Sequence, residues 1–429
     1  MPIEIKRDLY LNRLADKKEN GLIKIITGLR RCGKSYFLFN LYYDYLISQG
    51  VKEDQIIQIP LDTDQYVQYR NPDKLSQYIR DRIVNKDMYY ILIDEVQYAI
   101  SKEEIKNPEE IKLYNVLNGL MRLRNVDIYV TGSNSKMLSS DVRTAFRGRG
   151  DELELHPLSF REYYEFAGGD KSEAYDEYAM YGGMPLAVLK KKENEKIKYL
   201  QELFEETYFK DITERYEIEY PDVLEEITDE LFSAVGSLTN ASKIANTLQS
   251  VKNTKISSST VSTYLGYLTE SFLFKKAKRY DVKGKKYFEY PYKFYAGDIG
   301  LRNARLNFRQ QEETHIMENI VYNELLCRDY TVDVGVVDIS ERKNEKLVKK
   351  QWEIDFIVNN GSKRYYIQSA FNVSDPEKMA TEIRPLKSTN DFFKKIIITK
   401  SSMKPWNDED GILHLGLYDF LLNEKSLDF

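Results

Sequence analysis

The sequence predicts an α/β protein in which two sheet-containing regions are separated by a mainly helical one. Short apolar runs, typical of buried strands, alternate with amphipathic helical stretches up to about residue 155, and the alternation returns after about residue 312. Residues 160–230 between them show mainly helical periodicity. For a chain of 429 residues this pattern indicates about two to four domains.

Composition indicates a globular chain and excludes several classes of protein. Hydrophobic residues make up 42% and charged residues 31%, which excludes a disordered or collagen-like chain, and the formal net charge is −5. The N-terminus MPIEIKRDLY lacks the apolar core of a signal peptide, and no apolar run of about 18 residues occurs. We therefore expect a cytoplasmic protein that makes no membrane contact.

The few cysteines and histidines argue against a zinc site. Cys32 and Cys327 allow at most one disulfide, and His156, His315 and His414 lie far apart in the sequence. We expect no Cys-rich zinc site and no His-based metal centre.

Five apolar runs predict a parallel sheet within residues 1–158. Helical stretches separate the runs, which is the pattern of buried strands joined by crossover helices. The runs are LIKIIT (22–27), QIIQIPL (55–61), YYILID (89–94), DIYVTG (127–132) and ELELHPL (152–158).

Residues 28–35 fit the phosphate-loop pattern G-x-x-x-x-G-K-[ST] in full, between a predicted strand and a predicted helix. In such a loop successive backbone N–H groups face phosphate oxygens, and the helix N-terminus adds partial positive charge. We expect Lys34 to reach the β and γ phosphates of ATP and Ser35 to ligate Mg²⁺. The predicted nucleotide contacts are Gly28, Leu29, Arg30, Arg31, Cys32, Gly33, Lys34, Ser35 and Asp94.

Two carboxylates follow the strand YYILI at the edge of the sheet where the phosphate loop is expected. Asp94 is predicted to orient Mg²⁺, and Glu95 to act as general base for attack on the γ phosphate. An Asp-Glu pair at a strand end is by itself more often a helix cap. Together with the loop it predicts a nucleotide-hydrolysis site.

Polar residues also follow the next strand, DIYVT, at the carboxyl edge of the sheet. Asn134 is predicted to hold the attacking water, with Ser133 as the alternative, although both residues are also suitable helix caps.

Arg149 precedes the fifth predicted strand and is a candidate catalytic arginine. We expect it to contact a γ phosphate in trans, from a neighbouring copy in a homo-oligomer. The alternative is a cation favoured by a helix C-terminus.

Charge is unevenly distributed along the middle of the chain. Residues 151–230 carry a net charge of −14, whereas residues 231–290 carry +7. In this acidic chain the basic segment is either a docking site for a polyanion or a solvated face. Its pattern is helical up to a hairpin that turns at Lys283-Gly284-Lys285, and the breaker Gly182-Gly183-Met184-Pro185 divides the helices before it.

After residue 312 one predicted helix, EETHIMENIVYNELLCRD, leads into four predicted strands. We expect a second α/β domain here. The strands are TVDVGVVDI, QWEIDFIV, RYYIQSAF and KKIIITK.

Several motifs, spread over nearly the whole chain, resemble those of prokaryotic AAA+ ATPases that carry a C-terminal domain of unknown function. They include the phosphate loop, ILIDEVQ, TGSNSK, HPLSFREY, YGGMP, YFKDITERY, TVSTYLGYL, RYDVKGKKYFEY and FYAGDIGLRNA. The resemblance implies a P-loop core (1–158), a helical lid (159–230), a winged-helix segment (231–300) and a C-terminal fold similar to restriction endonucleases (301–429).

The resemblance also gives the basic segment a role in binding double-stranded DNA. Residues 257–261 would open a recognition helix and residues 278–290 would form the wing, which lies on phosphates in such folds. Winged helices of ATPases also contact proteins, so both partners are retained. The candidate phosphate contacts are Lys275, Lys276, Lys278, Arg279, Lys283, Lys285 and Lys286.

A nuclease centre of this type needs an acidic residue, a strand-borne Asp and a Glu-x-Lys on the next strand. Glu318 and Asp355 fill the first two places, but Gln368 and Ala370 stand where the glutamate and lysine should be. We therefore expect the fold without cleavage, with Lys363 and Lys378 as poor substitutes.

Together these observations predict an ATPase that couples its nucleotide state to the winged-helix and C-terminal domains in association with DNA. The alternatives are a switch that binds protein partners and a metal-dependent nuclease.

Overall fold

The computed structural model describes residues 4–101, 103–104, 111–132, 149–252, 254–288, 291–343, 346–371 and 376–429. The chain divides into two compact units. Unit 1 comprises Met1–Pro157 with Glu270–Phe272, and unit 2 comprises Leu158–Thr269 with Leu273–Phe429. Among the helices of these residues, none is both long and apolar enough to cross a membrane.

Unit 1 is built on a five-stranded parallel sheet of order β2-β3-β4-β1-β5. The sheet predicted from the apolar runs is confirmed, and each run overlaps a strand. The strands are β1 (Ile23–Thr27), β2 (Ile56–Pro60), β3 (Tyr89–Asp94), β4 (Val126–Thr131) and β5 (Gly150–Glu154).

Among the described helices of unit 1, α1 precedes β1 and the others lie between the strands in the sequence. All residues of β1 and β3 are buried, as their uninterrupted apolar character predicts for a sheet covered on both faces. The helices are α1 (Asp8–Asp16), α2 (Lys34–Tyr36), α3 (Tyr43–Ser48), α4 (Pro72–Arg82) and α5 (Lys112–Leu120), with a π-helical turn, Phe37–Tyr42, joining α2 to α3.

Unit 2 begins with short helices and contains the remaining elements. The breaker predicted at residues 182–185 separates α7 from α8. The helices are α6 (Phe160–Ala167), α7 (Lys171–Tyr181), α8 (Pro185–Val188), α9 (Glu193–Glu202), α10 (Lys210–Arg215), α11 (Pro221–Ser233), α12 (Ala241–Lys252), α13 (Ser258–Glu270), α14 (Ile299–Arg305), α15 (Glu313–Cys327), α16 (Pro376–Lys387) and α17 (Leu417–Leu422).

Three helices and a small sheet lie in and around the basic segment. Helix α11 precedes β6, and helices α12 and α13 lie between β6 and β7 of an antiparallel sheet of order β6-β10-β7. Its strands are β6 (Leu238–Thr239), β7 (Phe274–Ala277) and β10 (Tyr292–Ala296).

The hairpin expected at Gly284 forms, but its strands belong to another sheet. Strands β8 (Arg279–Asp281) and β9 (Lys286–Tyr287) pair with each other, and β8 also pairs in parallel with β11. These strands complete an eight-stranded mixed sheet of order β15-β16-β14-β13-β12-β11-β8-β9. Its other strands are β11 (Thr331–Lys343), β12 (Lys346–Asn360), β13 (Lys363–Ala370), β14 (Lys394–Thr399), β15 (Trp406–Asn407) and β16 (Leu413–Gly416).

A buried aspartate holds two glycine turns of unit 2 together. Asp298 caps α14 by accepting a hydrogen bond from the N–H of Leu301 at 3.0 Å, and it accepts another from the N–H of Gly183 at 2.7 Å. A Cβ atom on Gly182 would lie 2.4 Å from the Asp298 carboxylate, so a larger residue cannot replace this glycine without displacing the carboxylate. The turns at residues 182–183 and 297–300 therefore form one packed contact.

Asp298→Asn is expected to remove a pH-dependent term from the stability of the protein. Burial raises the pKa of Asp298 to about 6, against the three backbone hydrogen bonds that lower it. A carboxyl whose pKa is raised in the folded state contributes stability below its unfolded pKa of about 4, and this contribution is lost as pH rises through 6. The free energy of unfolding of the wild type should therefore fall, relative to the variant, by about 3 kcal/mol between about pH 4 and pH 7.

Urea unfolding of both proteins across this pH range measures the difference. Asp170→Asn is the matched control, because Asp170 also caps a helix but is exposed. A constant difference between wild type and Asp298→Asn at all pH values would contradict the prediction.

Candidate functional site

The phosphate loop connects the end of β1 to the start of α2 at the carboxyl edge of the sheet. Gly28 and Gly33 have φ values of 136° and 102°, which L side chains rarely adopt. A Cβ atom on Gly28 would lie 2.1 Å from the carbonyl oxygen of Leu155. The backbone geometry therefore requires glycine at Gly28.

Lys34 is buried and turns back onto the loop. Its ammonium donates to the carbonyl oxygens of Gly28 at 3.0 Å and Leu29 at 3.1 Å. The positive charge of Lys34 is thus paired only with neutral carbonyl oxygens. A phosphate oxygen would be a stronger acceptor for this ammonium because it is negatively charged.

Cys32 anchors the other side of the loop. Its thiol is fully buried and donates to the carbonyl oxygen of Leu155 at 3.2 Å, and Arg7 donates to the Cys32 carbonyl at 3.3 Å. Burial raises the pKa of the Cys32 thiol. Leu29 is buried, Arg30 is half-buried and Arg31 is exposed.

Asp94 is the last residue of β3 and Glu95 follows it, and a threonine at the end of neighbouring β4 fixes both. The Thr131 hydroxyl donates to the Asp94 carboxylate and accepts a hydrogen bond from the Glu95 N–H at 3.0 Å. Thr131 is fully buried. Sequence reasoning missed this residue, whose signal is a polar side chain at the last position of a buried strand.

Ser35 and Asp94, the two predicted Mg²⁺ ligands, are hydrogen-bonded to each other. Burial raises the pKa of Asp94 to about 6, and Glu95 adds to this rise, while hydrogen bonds from Thr131 and Ser35 oppose it. A buried carboxylate with this disfavoured charge and an adjacent hydroxyl fit Mg²⁺, which takes one or two protein carboxylates and completes its shell with water and phosphate oxygens.

Glu95 is half-buried with a φ of 53°, an uncommon conformation for a residue other than glycine. The Gln97 amide donates to its carboxylate. Gln97 is a second residue that sequence reasoning missed, although it lies in the motif ILIDEVQ.

The two other predicted catalytic residues are Asn134 and Arg149. Asn134 and its alternative Ser133 lie outside the described residues. Arg149 is exposed and precedes β5, at the amino edge of the sheet, since its carbonyl pairs with the N–H of Ile23 at the start of β1. One strand length, about 15 Å, separates this edge from the phosphate loop, so Arg149 has no contact with the loop in cis.

Most of the candidate phosphate contacts in the basic segment are exposed, but Arg279 is not. Its guanidinium lies 5.0 Å from the centre of the Phe288 ring and donates to Gln351 at 3.3 Å. The expectation that Arg279 contacts phosphate is therefore corrected, because alternation along β8 turns this side chain inward. Lys275 is half-buried, and the exposed residues are Lys276, Lys278, Lys283, Lys285 and Lys286.

The three predicted nuclease positions lie together inside unit 2. Glu318 is on α15, Asp355 on β12 and Gln368 on β13, and all three are buried. The Gln368 amide accepts a hydrogen bond from the Asp355 N–H at 3.3 Å and donates to Glu382 at 2.9 Å.

In the described part of the chain, neither predicted substitute lysine forms a hydrogen bond or ion pair with these three residues. Lys363 is exposed and pairs with Asp428 at 2.8 Å, and Lys378 is exposed on α16.

Sequence reasoning missed the lysine that does reach this centre. Lys293 on β10 is buried, and its ammonium lies 2.9 Å from Glu318 and 2.7 Å from Glu353. Burial tends to lower the pKa of Lys293, but the carboxylates of Glu318, Asp355 and Glu353 outweigh it and raise the pKa. The signal in the sequence was a single charge inside the strand pattern YPYKFYA.

Two family models match the chain. Residues 20–164 match the AAA domain, which contains the phosphate loop, Asp94 and Glu95, and residues 172–312 match a domain of unknown function, DUF8612.

Two relatives match nearly the whole chain. An uncharacterized protein of Haemophilus influenzae is 33% identical over 424 residues, covering 97% of this chain and 98% of the relative. An uncharacterized protein of Methanocaldococcus jannaschii is 27% identical over 424 residues, covering 94% of this chain and 86% of the relative.

Among solved structures, the chain matches the Orc1 protein of Aeropyrum pernix in complex with DNA. It is 13% identical, with a TM-score of 0.29, and the match covers 72% of this chain and 94% of that chain.

Proposed function

The chain belongs to the same family as the Haemophilus influenzae relative and matches the AAA domain over residues 20–164, and we propose that it is an ATPase that hydrolyses ATP with Mg²⁺. The observation that carries the proposal is the cluster at one edge of the parallel sheet. There the phosphate loop, Ser35 and Asp94 meet, and Thr131 fixes both Asp94 and Glu95.

In the proposed reaction the loop amides and Lys34 hold the phosphates. Lys34 exchanges its two carbonyl acceptors for phosphate oxygens, which are stronger partners because they are charged. Bound Mg²⁺ would neutralise part of the charge on the β and γ phosphates, with Ser35 and Asp94 as its protein ligands. Glu95 accepts the proton of the attacking water, and the Gln97 amide holds the carboxylate in place.

Asn134 and Arg149 complete the proposed site. Asn134 positions the attacking water, and Arg149 stabilises the transition-state charge in a neighbouring copy. The exposure of Arg149 and its position at the opposite edge of the sheet support action in trans rather than in cis.

Release of phosphate from ATP by the purified protein tests the proposal. We expect turnover that requires Mg²⁺ and stops when EDTA is added, and we place the protein in the cytoplasm, where ATP is supplied. Absence of ATP binding in the folded protein would contradict it.

We further propose that unit 2 associates with double-stranded DNA through a winged helix. The order α11-β6-α12-α13-β7-β10 and the sheet order β6-β10-β7 support this fold. One face of α13 is buried through Val261, Tyr264 and Leu268, and the hydroxyls of Ser259 and Ser262 lie on its exposed face, where they suit contacts with phosphates.

The hairpin of β8 and β9 supplies the proposed wing. Asp281 accepts hydrogen bonds from the N–H groups of Lys283 at 3.1 Å and Gly284 at 2.8 Å, which fixes the turn and presents exposed lysines on either side of it. The wing thus lies at the edge of the eight-stranded sheet. This sheet is the core of the proposed restriction-endonuclease-like C-terminal fold. A protein partner bound through this sheet is the alternative function.

Changing Lys283, Lys285 and Lys286 together to Glu should weaken binding to all duplex sequences alike. Three lost phosphate contacts should reduce the slope of log affinity against log salt by about 3 units, because each releases close to one counterion. Folding stability should change little, since the three side chains are exposed.

A filter-binding or anisotropy titration at several salt concentrations measures this slope. The matched control reverses three exposed lysines elsewhere in unit 2, Lys191, Lys192 and Lys198, and should keep the wild-type slope. A wild-type slope in the hairpin variant would exclude the hairpin as the contact surface, and no binding of wild type at low salt would favour the protein partner.

A further inference from the structure

An ammonium group lies among three carboxylates inside unit 2. Lys293 comes from β10 in the three-stranded sheet, Glu318 from α15, and Glu353 and Asp355 from β12 in the eight-stranded sheet. Glu353 and Asp355 share one face of β12, because side chains two residues apart on a strand point the same way. The Tyr295 hydroxyl also donates to Glu318, at 2.7 Å.

The nuclease resemblance implies a divalent cation at this position, and the residues present do not fit one. Lys293 already uses Glu318 and Glu353, at 2.9 and 2.7 Å. Asp355 accepts the Ser369 N–H at 2.8 Å. The Gln368 amide is likewise engaged, and within the part of the chain that the structure describes no group of three acidic, His or Cys side chains is arranged to hold a metal.

We propose that the Lys293 ammonium takes the place of the divalent cation and neutralises the carboxylates itself. The centre therefore binds no divalent metal and has no metal-dependent cleavage activity. The centre instead joins the two sheets of unit 2, because Lys293 belongs to the three-stranded sheet and Glu353 to the eight-stranded sheet. This ion pair therefore also fixes the proposed wing, which belongs to the eight-stranded sheet, relative to the three-stranded sheet.

Charge and geometry explain why the two cations exclude each other. A divalent ion bound to Glu318 and Glu353 would lie beside an ammonium that already contacts the same oxygens, and like charges at that separation repel strongly in a buried site. The lysine is covalently attached and largely desolvated, so its ion pairs do not depend on the metal concentration.

The test compares the melting temperatures of nucleotide-free proteins with and without Mn²⁺. Lys293→Met keeps most of the side-chain volume and leaves the carboxylates without a cation. We expect no Mn²⁺ effect on wild type, a lower melting temperature for the variant, and recovery of several degrees when Mn²⁺ is added. Adding Glu318→Gln to the variant should abolish that recovery, because it removes one ligand.

Lys24→Met is the matched control. Lys24 is also fully buried and paired, but with the single carboxylate of Asp127. One carboxylate is too few to hold Mn²⁺ tightly, so this variant should melt lower without recovery.

Two results would overturn the proposal. One is Mn²⁺ binding or DNA cleavage by wild-type protein that is lost in Asp355→Asn. The other is a Lys293→Met protein that does not respond to Mn²⁺. If Lys293→Met does not fold alone, refolding it with Mn²⁺ decides the question: recovery of folded protein supports the proposal and failure to recover overturns it.

Discussion

Lys34→Ala should abolish ATP binding at ordinary nucleotide concentrations. The ammonium is expected to make two charge-assisted hydrogen bonds to phosphate, each contributing roughly 1.5–3 kcal/mol. Their loss corresponds to a weakening of roughly 10²- to 10⁴-fold, since about 1.4 kcal/mol is tenfold in affinity. Calorimetric titration of ATP into the wild type and the variant measures the change.

A folding control is needed because Lys34 also binds its own loop. Without the ammonium, the carbonyls of Gly28 and Leu29 lose their partner, so the melting temperature of the variant must be measured beside its affinity. Lys74→Ala removes an exposed lysine from the same unit and should leave both quantities unchanged. Wild-type ATP affinity in a folded Lys34→Ala protein would place the nucleotide elsewhere.

The sequence was most informative where structure depends on local pattern. The strand β3 spans residues 89–94, as its apolar run predicts, and its burial on both faces explains why alternation is absent. The phosphate loop was also predictable, because the spacing of its glycines reflects backbone angles at those positions. Both features are determined within a few residues.

Pairing between distant segments was not predictable in this way. Strand β8 pairs with β11, about 55 residues later, and no local periodicity encodes that choice. The hairpin at Gly284 was therefore expected, but its place in the eight-stranded sheet was not. The ion pairs of Lys293 could not be predicted for the same reason, because its carboxylate partners lie about 25 and 60 residues away in the sequence.

The predicted domain boundaries at residues 230 and 300 remain predictions. Asp298 contacts Gly183, and the Asn303 amide donates to the carbonyls of Ala179 and Met180 at 2.9 Å. These contacts join segments that were assigned to a lid, a winged helix and a C-terminal domain. Glycines in YGGMP and GDIG suggested turns, but nothing local indicated that the two turns meet.

Glu95→Gln should separate binding of ATP from its hydrolysis. Glutamine keeps the size of the side chain but cannot accept the proton of the attacking water, so turnover should fall by about 10²-fold or more. ATP affinity should stay close to wild type, because the phosphates are held by the loop, which Glu95 does not form. Single-turnover hydrolysis, together with a binding titration, measures both quantities.

The backbone conformation of Glu95 makes Glu95→Gln a specific test of the proposed base. Glu95 has a φ of 53°, and its N–H is held by Thr131 at 3.0 Å, so the side chain is presented from a fixed and uncommon conformation. Glutamine and glutamate differ little in their tolerance of that conformation, and a loss of rate therefore reports the missing base rather than a moved backbone. Glu53→Gln, at an exposed turn of the same unit, is the control and should hydrolyse ATP normally.

The outcome of Glu95→Gln also discriminates among roles for its neighbours. Normal turnover would transfer the role of positioning water to Asn134, and loss of ATP binding would mean that Glu95 supports the loop rather than the chemistry. Slow turnover with intact binding is the result that only a base next to the γ phosphate explains, because Lys34→Ala, which acts on the phosphates, should lose binding and turnover together. The two variants thus assign the two halves of one site: a loop that holds the nucleotide and a carboxylate that activates water.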